Sequence, residues 1–251
     1  TELVHPDDRK RVTGELTLQL SQGTGYELEY RAVSTQGRTR WLLDQGRIFK
    51  GQETGEQYLQ GLVVDITKQR AIRDEYEYIC FHDPLTGLYN RAYFEREIAE
   101  LAKRRGILVG LIYCDMDGLK LINDNLGHEV GDRLLISAAE IISKSVERGD
   151  VACRMGGDEF AVILMDCTEE KLMEKMEAIR NNVTINNQNP DALPVRISIG
   201  SASAVTNEDG LIEKLSMAAD DNMYQDKRIN ITAAREFILK RITRLTDKKL
   251  L

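Results

Sequence analysis

Two short acidic stretches hold the residues best able to do chemistry: Asp115-Met116-Asp117 and Asp158-Glu159. Each lies at the end of an apolar run. Ile107-Leu108-Val109-Gly110-Leu111-Ile112-Tyr113-Cys114 leads into the first, and Phe160-Ala161-Val162-Ile163-Leu164 leads away from the second. Ahead of the second pair stand Val151, Ala152 and then Arg154-Met155-Gly156-Gly157. Two strand-like runs joined across Gly-Gly predict a β-hairpin, because a tight turn needs positive φ, which glycine adopts without strain. Acidic residues are poor strand formers, so carboxylates directly after the glycines mark either a solvated turn or a site. Carboxylates at the tips of two neighbouring strands would form a hard-oxygen pocket suited to Mg²⁺, or to Mn²⁺.

The 251 residues are 42% hydrophobic and 30% charged, the composition of a globular chain long enough for two domains. A formal charge of −7 argues against a general nucleic-acid surface, so a phosphate ester bound here needs local neutralisation. The four cysteines, Cys80, Cys114, Cys153 and Cys167, form no C-x-x-C pair; Cys114 and Cys153 read as buried, reduced thiols, which suits the cytoplasm. No run approaches the roughly 18 apolar residues of a membrane span, and no signal peptide is visible. The chain opens on Thr-Glu without Met, so an excerpt is expected, with any membrane attachment through upstream segments. A G-x-x-x-x-G-K-[ST] loop is missing, which excludes an ordinary P-loop nucleotidase.

The elements that must position these residues follow from periodicity. Residues 1–66 read as a short helix from His5-Pro6-Asp7-Asp8 and three antiparallel strands. The strands fall at Tyr26–Val33, from Thr39 onward, and at Leu59–Asp65, with a turn at Thr35-Gln36-Gly37-Arg38 and a loop rich in Gly, Gln and Glu before the third. His5 reads as a loop or cap residue rather than a haem ligand. Residues 67–82 form a polar linker helix with a coiled-coil-like stripe of Ile72, Tyr76 and Ile79 and an Arg73–Glu77 pair. His82–Arg91 is a turn-rich boundary in which Asn90 can cap a helix bearing Tyr93, Phe94, Ile98 and Leu101. A second inward-facing helix carries Leu134, Leu135, Ala138, Ile141, Ile142 and Val146. After the hairpin come a helix from Glu169 to about Asn182, a strand at Val195–Ile199, a helix from about Leu211 to Lys227, and a separate closing helix within 232–251. This order predicts an α+β sandwich rather than a doubly wound parallel sheet.

Residues 1–66 resemble the C-terminal part of a PAS domain, through His5-Pro6-Asp7-Asp8, the Tyr30-Arg31, Gly37 and Trp41 spacing, and Gly61 with Asp65-Ile66-Thr67. The first elements of that fold have no counterpart here, so its ligand pocket would be incomplete. Residues 83–231 resemble the GGDEF family of diguanylate cyclases. The matching motifs are Asp83-Pro84-Leu85-Thr86-Gly87-Leu88-Tyr89-Asn90-Arg91 and Asp115-x-Asp117-x-x-Lys120-x-x-Asn123-Asp124. Further along come Gly127-His128-x-x-Gly131-Asp132, Arg154-x-Gly156-Gly157-Asp158-Glu159-Phe160, Ile197-Ser198-Ile199-Gly200 and Ala219-Asp220 with Met223-Tyr224 and Lys227. The resemblance implies a palm-like α+β domain related to nucleotidyl cyclases, joining two GTP into cyclic di-GMP as a homodimer. It implies metal on Asp115, Asp158 and the Met116 carbonyl, with Glu159 as a further ligand or a general base. Asn123 and Asp132 would read guanine, whose N1–H and 2-amino donors suit an amide and a carboxylate. Amides at Gly118 and Leu119 would cradle phosphates with Lys120 and Lys227, and Gly156 and Gly157 would let the backbone approach the nucleotide.

Three departures stand out, the mildest being Gly118-Leu119, where the family often has aromatics but the backbone does the work. The phosphate-binding Arg of the family falls on Ile231, within Asn230-Ile231-Thr232, and Arg228 is the nearest substitute in sequence. This departure keeps open a second reading, a catalytically weak GTP-binding module that regulates a partner. A cyclase of mixed purine specificity is a third reading, against which Asp132 argues. The family's product-inhibition motif, Arg-x-x-Asp, falls on Glu147 and Asp150, which predicts weak feedback because Glu147 would repel an anionic dinucleotide.

Overall fold

A computed structural model describes residues 3–23, 25–34, 36–50, 57–206 and 210–247. The chain divides into two compact units, Thr1–Tyr78 and Ile79–Leu251. Thr35 of the predicted turn, residues 51–56 of the predicted loop and residues 248–251 of the closing helix lie outside the described residues.

In the first unit a 3-10 turn, Pro6–Asp8, runs into helix α1 (Arg9–Ser21). Strands β1 (Tyr26–Val33), β2 (Thr39–Lys50) and β3 (Gln57–Asp65) then form an antiparallel sheet in the order β1-β2-β3. The predicted three strands are therefore present, and the short N-terminal helix is longer than expected. His5 caps the turn, its Nδ1 accepting from the Asp7 amide. Asp8 is buried because Arg31 satisfies it: the guanidinium donates at 2.7 Å and the Arg31 amide at 2.9 Å. These bonds hold the Asp8 carboxyl down to about 2. Helix α2 (Thr67–Phe81) carries Ile72, Tyr76 and Ile79, all exposed. Arg73 does not pair with Glu77 as expected; it reaches Glu29 at 3.9 Å, beside the shorter Arg70–Glu29 pair at 2.6 Å. A strand carboxylate already fixed by Arg70 is a better partner than a freely rotating one on the same exposed helix.

The second unit opens on the two-residue strand β4 (Tyr89–Asn90) and helix α3 (Arg91–Ala102). Asn90 caps α3 as expected, its Oδ1 accepting from the Tyr93 amide at 3.1 Å. Strand β5 (Leu108–Met116), helices α4 (Leu119–Leu126) and α5 (His128–Lys144), and the hairpin β6 (Val151–Gly156) and β7 (Glu159–Met165) follow. Helix α6 (Glu169–Gln188), strand β8 (Ile197–Val205) and helix α7 (Leu211–Asp247) complete it. The sheet order is β4-β6-β7-β5-β8, with β5 antiparallel to both neighbours, as an α+β fold requires. No helix among the described residues is long and apolar enough to cross a membrane.

Strand alternation divides β5 between two cores. Ile112, Cys114 and Met116 pack with Leu134, Ala138 and Ile142 of α5; Val109 and Leu111 pack with Phe94 of α3 and Ile212, Leu215 and Ala219 of α7. Cys114 and Cys153 are buried free thiols, as expected.

The two predicted terminal helices are one. Helix α7 runs unbroken for 37 residues, because Arg228-Ile229-Asn230-Ile231 contains neither Gly nor Pro and costs only tenths of a kcal/mol per residue. Its first half belongs to one core, and Ile238, Ile242 and Leu245 belong to the other. Its backbone rests on β8 at Gly200, where an added Cβ would overlap the Met223 amide and the Ala219 carbonyl. Gly200→Ala is expected to destabilise the chain by about 2 kcal/mol, because backbone cannot yield as a side chain can. Thermal denaturation would show this, and an unchanged midpoint would contradict so close a seat for α7.

Candidate active site at the tips of β5 and the β6–β7 hairpin

The antiparallel registers place Glu159, Asp115 and Ser198 side by side on β7, β5 and β8. Directly opposed residues share a sheet face, so Glu159 and Asp115, forty-four positions apart in the chain, stand on the same face of the sheet. The hairpin tip is tied to β5 by the Met116 amide, which donates to the Asp158 carbonyl at 2.9 Å. Gly156 and Gly157 take φ of 141° and 56°, and the space a Cβ would occupy at each is open.

Asp115 is 6% exposed. Burial pushes its carboxyl up, the Lys227 ammonium at 2.7 Å pulls it down, and the nearby Asp158 charge pushes it up again; the net shift is upward. Burial alone would lower the Lys227 ammonium, but Asp115, Asp158 and Asp117 outweigh it and raise it. Asp117 is also buried and raised, chiefly by desolvation; the Ser198 hydroxyl donates to its carboxylate, 3.0 Å from each oxygen. The site therefore concentrates more negative charge than one lysine neutralises. An oxygen-only donor set of this kind fits a hard divalent cation. Among the described residues no three His, Cys, Asp or Glu side chains converge into a cage.

Beside these carboxylates lies a cleft of 330 Å³ lined by Asp117, Gly118, Lys120, Leu121 and Asp124, and by Lys227, Ile231, Ala234, Arg235 and Ile238 of α7. Gly118 is the N-cap of α4 with φ of 80°, a left-handed conformation that leaves the first amides of α4 without a side-chain cap. The Asn123 carboxamide of α4 packs against α5 at Gly131. Its Oδ1 is buried and has no hydrogen-bond partner among the described residues. Such an atom costs about 1 to 3 kcal/mol unless a donor meets it. Asp132 stands exposed on the first turns of α5, next in sequence to that contact.

The model of the "Diguanylate cyclase, GGDEF domain" family matches residues 80–231. The chain belongs to this family. A PAS fold model matches residues 1–63. The chain is 35% identical over 153 residues to the probable diguanylate cyclase DgcT of Escherichia coli, covering 59% of this chain and 34% of that protein. It is 31% identical over 232 residues to the response regulator PleD of Caulobacter vibrioides, covering 90% of this chain and 47% of the relative. The chain thus spans less than half the length of these curated relatives. Among solved structures, the coiled coil and GGDEF domain of Caulobacter crescentus DgcB in complex with c-di-GMP superposes with a TM-score of 0.58. The identity is 25%, covering 65% of this chain and 88% of that one.

Within the GGDEF domain, the structure gathers Asp115, Met116, Asp158, Gly118, Leu119, Lys120 and Lys227 around the tip of β5. Glu159 shares the row with Asp115 but lines a second cleft of 350 Å³ with Arg91, Tyr113, Met155, Ser216 and Asp220. Lys227, expected on phosphate, pairs with Asp115, although it also lines the first cleft. Arg228 is not among the residues that line this cleft. On an α-helix it points about 100° away from Lys227, so adjacency in sequence does not bring it to the same face.

Arg154, noted only as part of a motif, holds the hairpin. Its Nη1 lies 3.1 and 3.2 Å from the two Asp83 oxygens, while Nε and Nη2 donate to the Gly157 carbonyl at 3.2 and 2.8 Å. Burial tends to raise the Asp83 carboxyl, but bonds from Thr86 and Arg154 win and lower it. The pair spans 71 residues, so nothing local signals it. A double-mutant cycle of Asp83→Ala and Arg154→Ala in denaturant unfolding is expected to give a coupling of about 1 to 3 kcal/mol. Additive single effects would show that the two side chains act independently.

Proposed function

We propose that the chain is a diguanylate cyclase that joins two GTP into cyclic di-GMP and releases two pyrophosphates. The observation that carries this reading is the buried Asp115 at a strand tip, 2.7 Å from Lys227 and directly opposite Glu159 in the sheet register. Phosphoryl transfer needs charge stabilisation and alignment more than covalent chemistry from the protein. The 3′-oxygen of one GTP forms a bond to the α-phosphorus of the other, and the bond from that phosphorus to the pyrophosphate oxygen breaks. The hydroxyl proton leaves to a base or solvent, for which Glu159 is the candidate side chain if it does not bind metal. Asp115, Asp158 and the Met116 carbonyl would hold Mg²⁺ or Mn²⁺, which neutralises developing negative charge. Asn123 and Asp132 would read guanine, whose N1–H and 2-amino donors suit an amide and a carboxylate.

One domain presents one GTP, so the second must come from another copy. The exposed Ile72, Tyr76 and Ile79 of α2 suit pairing with an identical helix, and we assign that helix to a homodimer regulated by the PAS-like unit. The reaction belongs in the compartment that supplies GTP, the cytoplasm. Ile231 favours the second reading, a regulatory GTP-binding module with little turnover.

Purified protein incubated with GTP and Mg²⁺ should yield cyclic di-GMP, resolved by mass and chromatography. Asp158→Ala should lower the rate roughly 10²-fold or more. Binding of GTP without product would overturn the cyclase reading in favour of the regulatory one.

Feedback by product should be weak. Glu147 pairs with the buried Lys175 at 2.5 Å, and its amide donates to Asp150. Lys175 is therefore committed to Glu147, and the position carries a carboxylate where the family's motif has a guanidinium, although Arg148 is adjacent. Titrating cyclic di-GMP should leave turnover nearly unchanged; tight non-competitive inhibition would contradict this.

A further inference from the structure

We propose that Arg235 supplies the guanidinium that binds the terminal phosphates of GTP, replacing an arginine at Ile231. The inference rests on the GTP-binding reading above. Lys227, Ile231, Arg235 and Ile238 line one cleft with Gly118 and Lys120, opposite the uncapped amides of α4. Residues 227, 231 and 235 recur every four positions, so they share one helix face. That placement exists only because α7 continues without a break through Asn230 and Thr232.

The geometry favours Arg235 over Arg228 in two ways. An α-helix rises 1.5 Å per residue, which puts the Arg235 backbone only about 6 Å beyond Ile231. Long helical side chains lean toward the helix N-terminus and cover the preceding turn, so Arg235 reaches back over Ile231 toward Lys227. Arg228 does not line the cleft.

The charges in the cleft are also unevenly committed. Lys227 is paired with Asp115, and Asp117 is occupied by Ser198. Arg235 makes no hydrogen bond or ion pair among the described residues, and with Lys120 it is the cation available to an incoming anion. The remaining acid, Asp124, is exposed at the rim. Ile231 is 59% exposed, which is wasteful for an isoleucine and leaves an apolar floor for an arginine stem to cross. A guanidinium bonds phosphate oxygens bidentately, so Arg235 suits a phosphate group that enters the cleft beside Lys120.

The test is equilibrium binding of GTP and GMP to the native chain and its variants with Mg²⁺ present. Arg235→Ala should weaken GTP roughly 10- to 100-fold and leave GMP unchanged. Ile231→Arg added to Arg235→Ala should restore GTP affinity. The assignment is overturned if Arg235→Ala binds GTP like the native chain, if it loses GTP and GMP equally, or if Arg228→Ala alone shows the loss. Turnover of the native chain, measured on the same samples, reports separately on the cyclase reading. GTP bound but not converted removes that reading and leaves the Arg235 result standing.

Discussion

A buried carboxylate needs a counter-charge, and Asp115 obtains its own from Lys227 across 2.7 Å. The fold around this pair follows from that need. Burying an ion without a partner costs several kcal/mol, so a strand that ends in acid beneath a hydrophobic sheet must have a cation delivered to it. Helix α7 is the carrier. It leaves one core with Ala219, passes the strand tip at Lys227 and enters the other core at Ile238. Its path depends on Gly200, where only a missing side chain lets two backbones meet.

The second constraint acts on the hairpin. A turn of two glycines is cheap to bend and cheap to misplace, since both accept unusual φ. Arg154 removes that freedom by holding the Gly157 carbonyl from inside the turn, and Asp83 holds Arg154. The Met116 amide holds the next carbonyl, at Asp158. Arg154 and the Met116 amide, with Asp83 behind Arg154, thus fix a turn whose own residues prefer no single shape.

Much of this was legible in the residues alone. Alternation marked β1, a continuous apolar run marked β5, the Gly-Gly pair marked the hairpin, and Asn90 marked the start of α3, because each signal is local and each element is short. The continuity of α7 was not legible. Asn230 and Thr232 weaken a helix slightly, and only burial of Ala234, Ile238 and Ile242 decides that it continues. Consequently Arg228 looked like the substitute for Ile231, although a continuous helix carries Arg235 to the cleft instead. The pairs Asp117–Ser198 and Asp83–Arg154 lie 81 and 71 residues apart, beyond the reach of any periodic pattern.

The seat of Asp83 gives the hairpin a mechanical character. Asp83 follows the end of α2 by two positions, and Asn90 reaches back to donate to the Cys80 carbonyl of that helix at 2.8 Å. The end of α2 is thus joined to the hairpin through a chain of contacts: carboxylate to guanidinium to the carbonyl of the glycine turn. Ion pairs and hydrogen bonds of this length resist stretching far more than bending, so the linkage passes on displacement along its axis and absorbs tilt. A shift of the last residues of α2 along that axis would move the glycine turn as a pushrod moves its load.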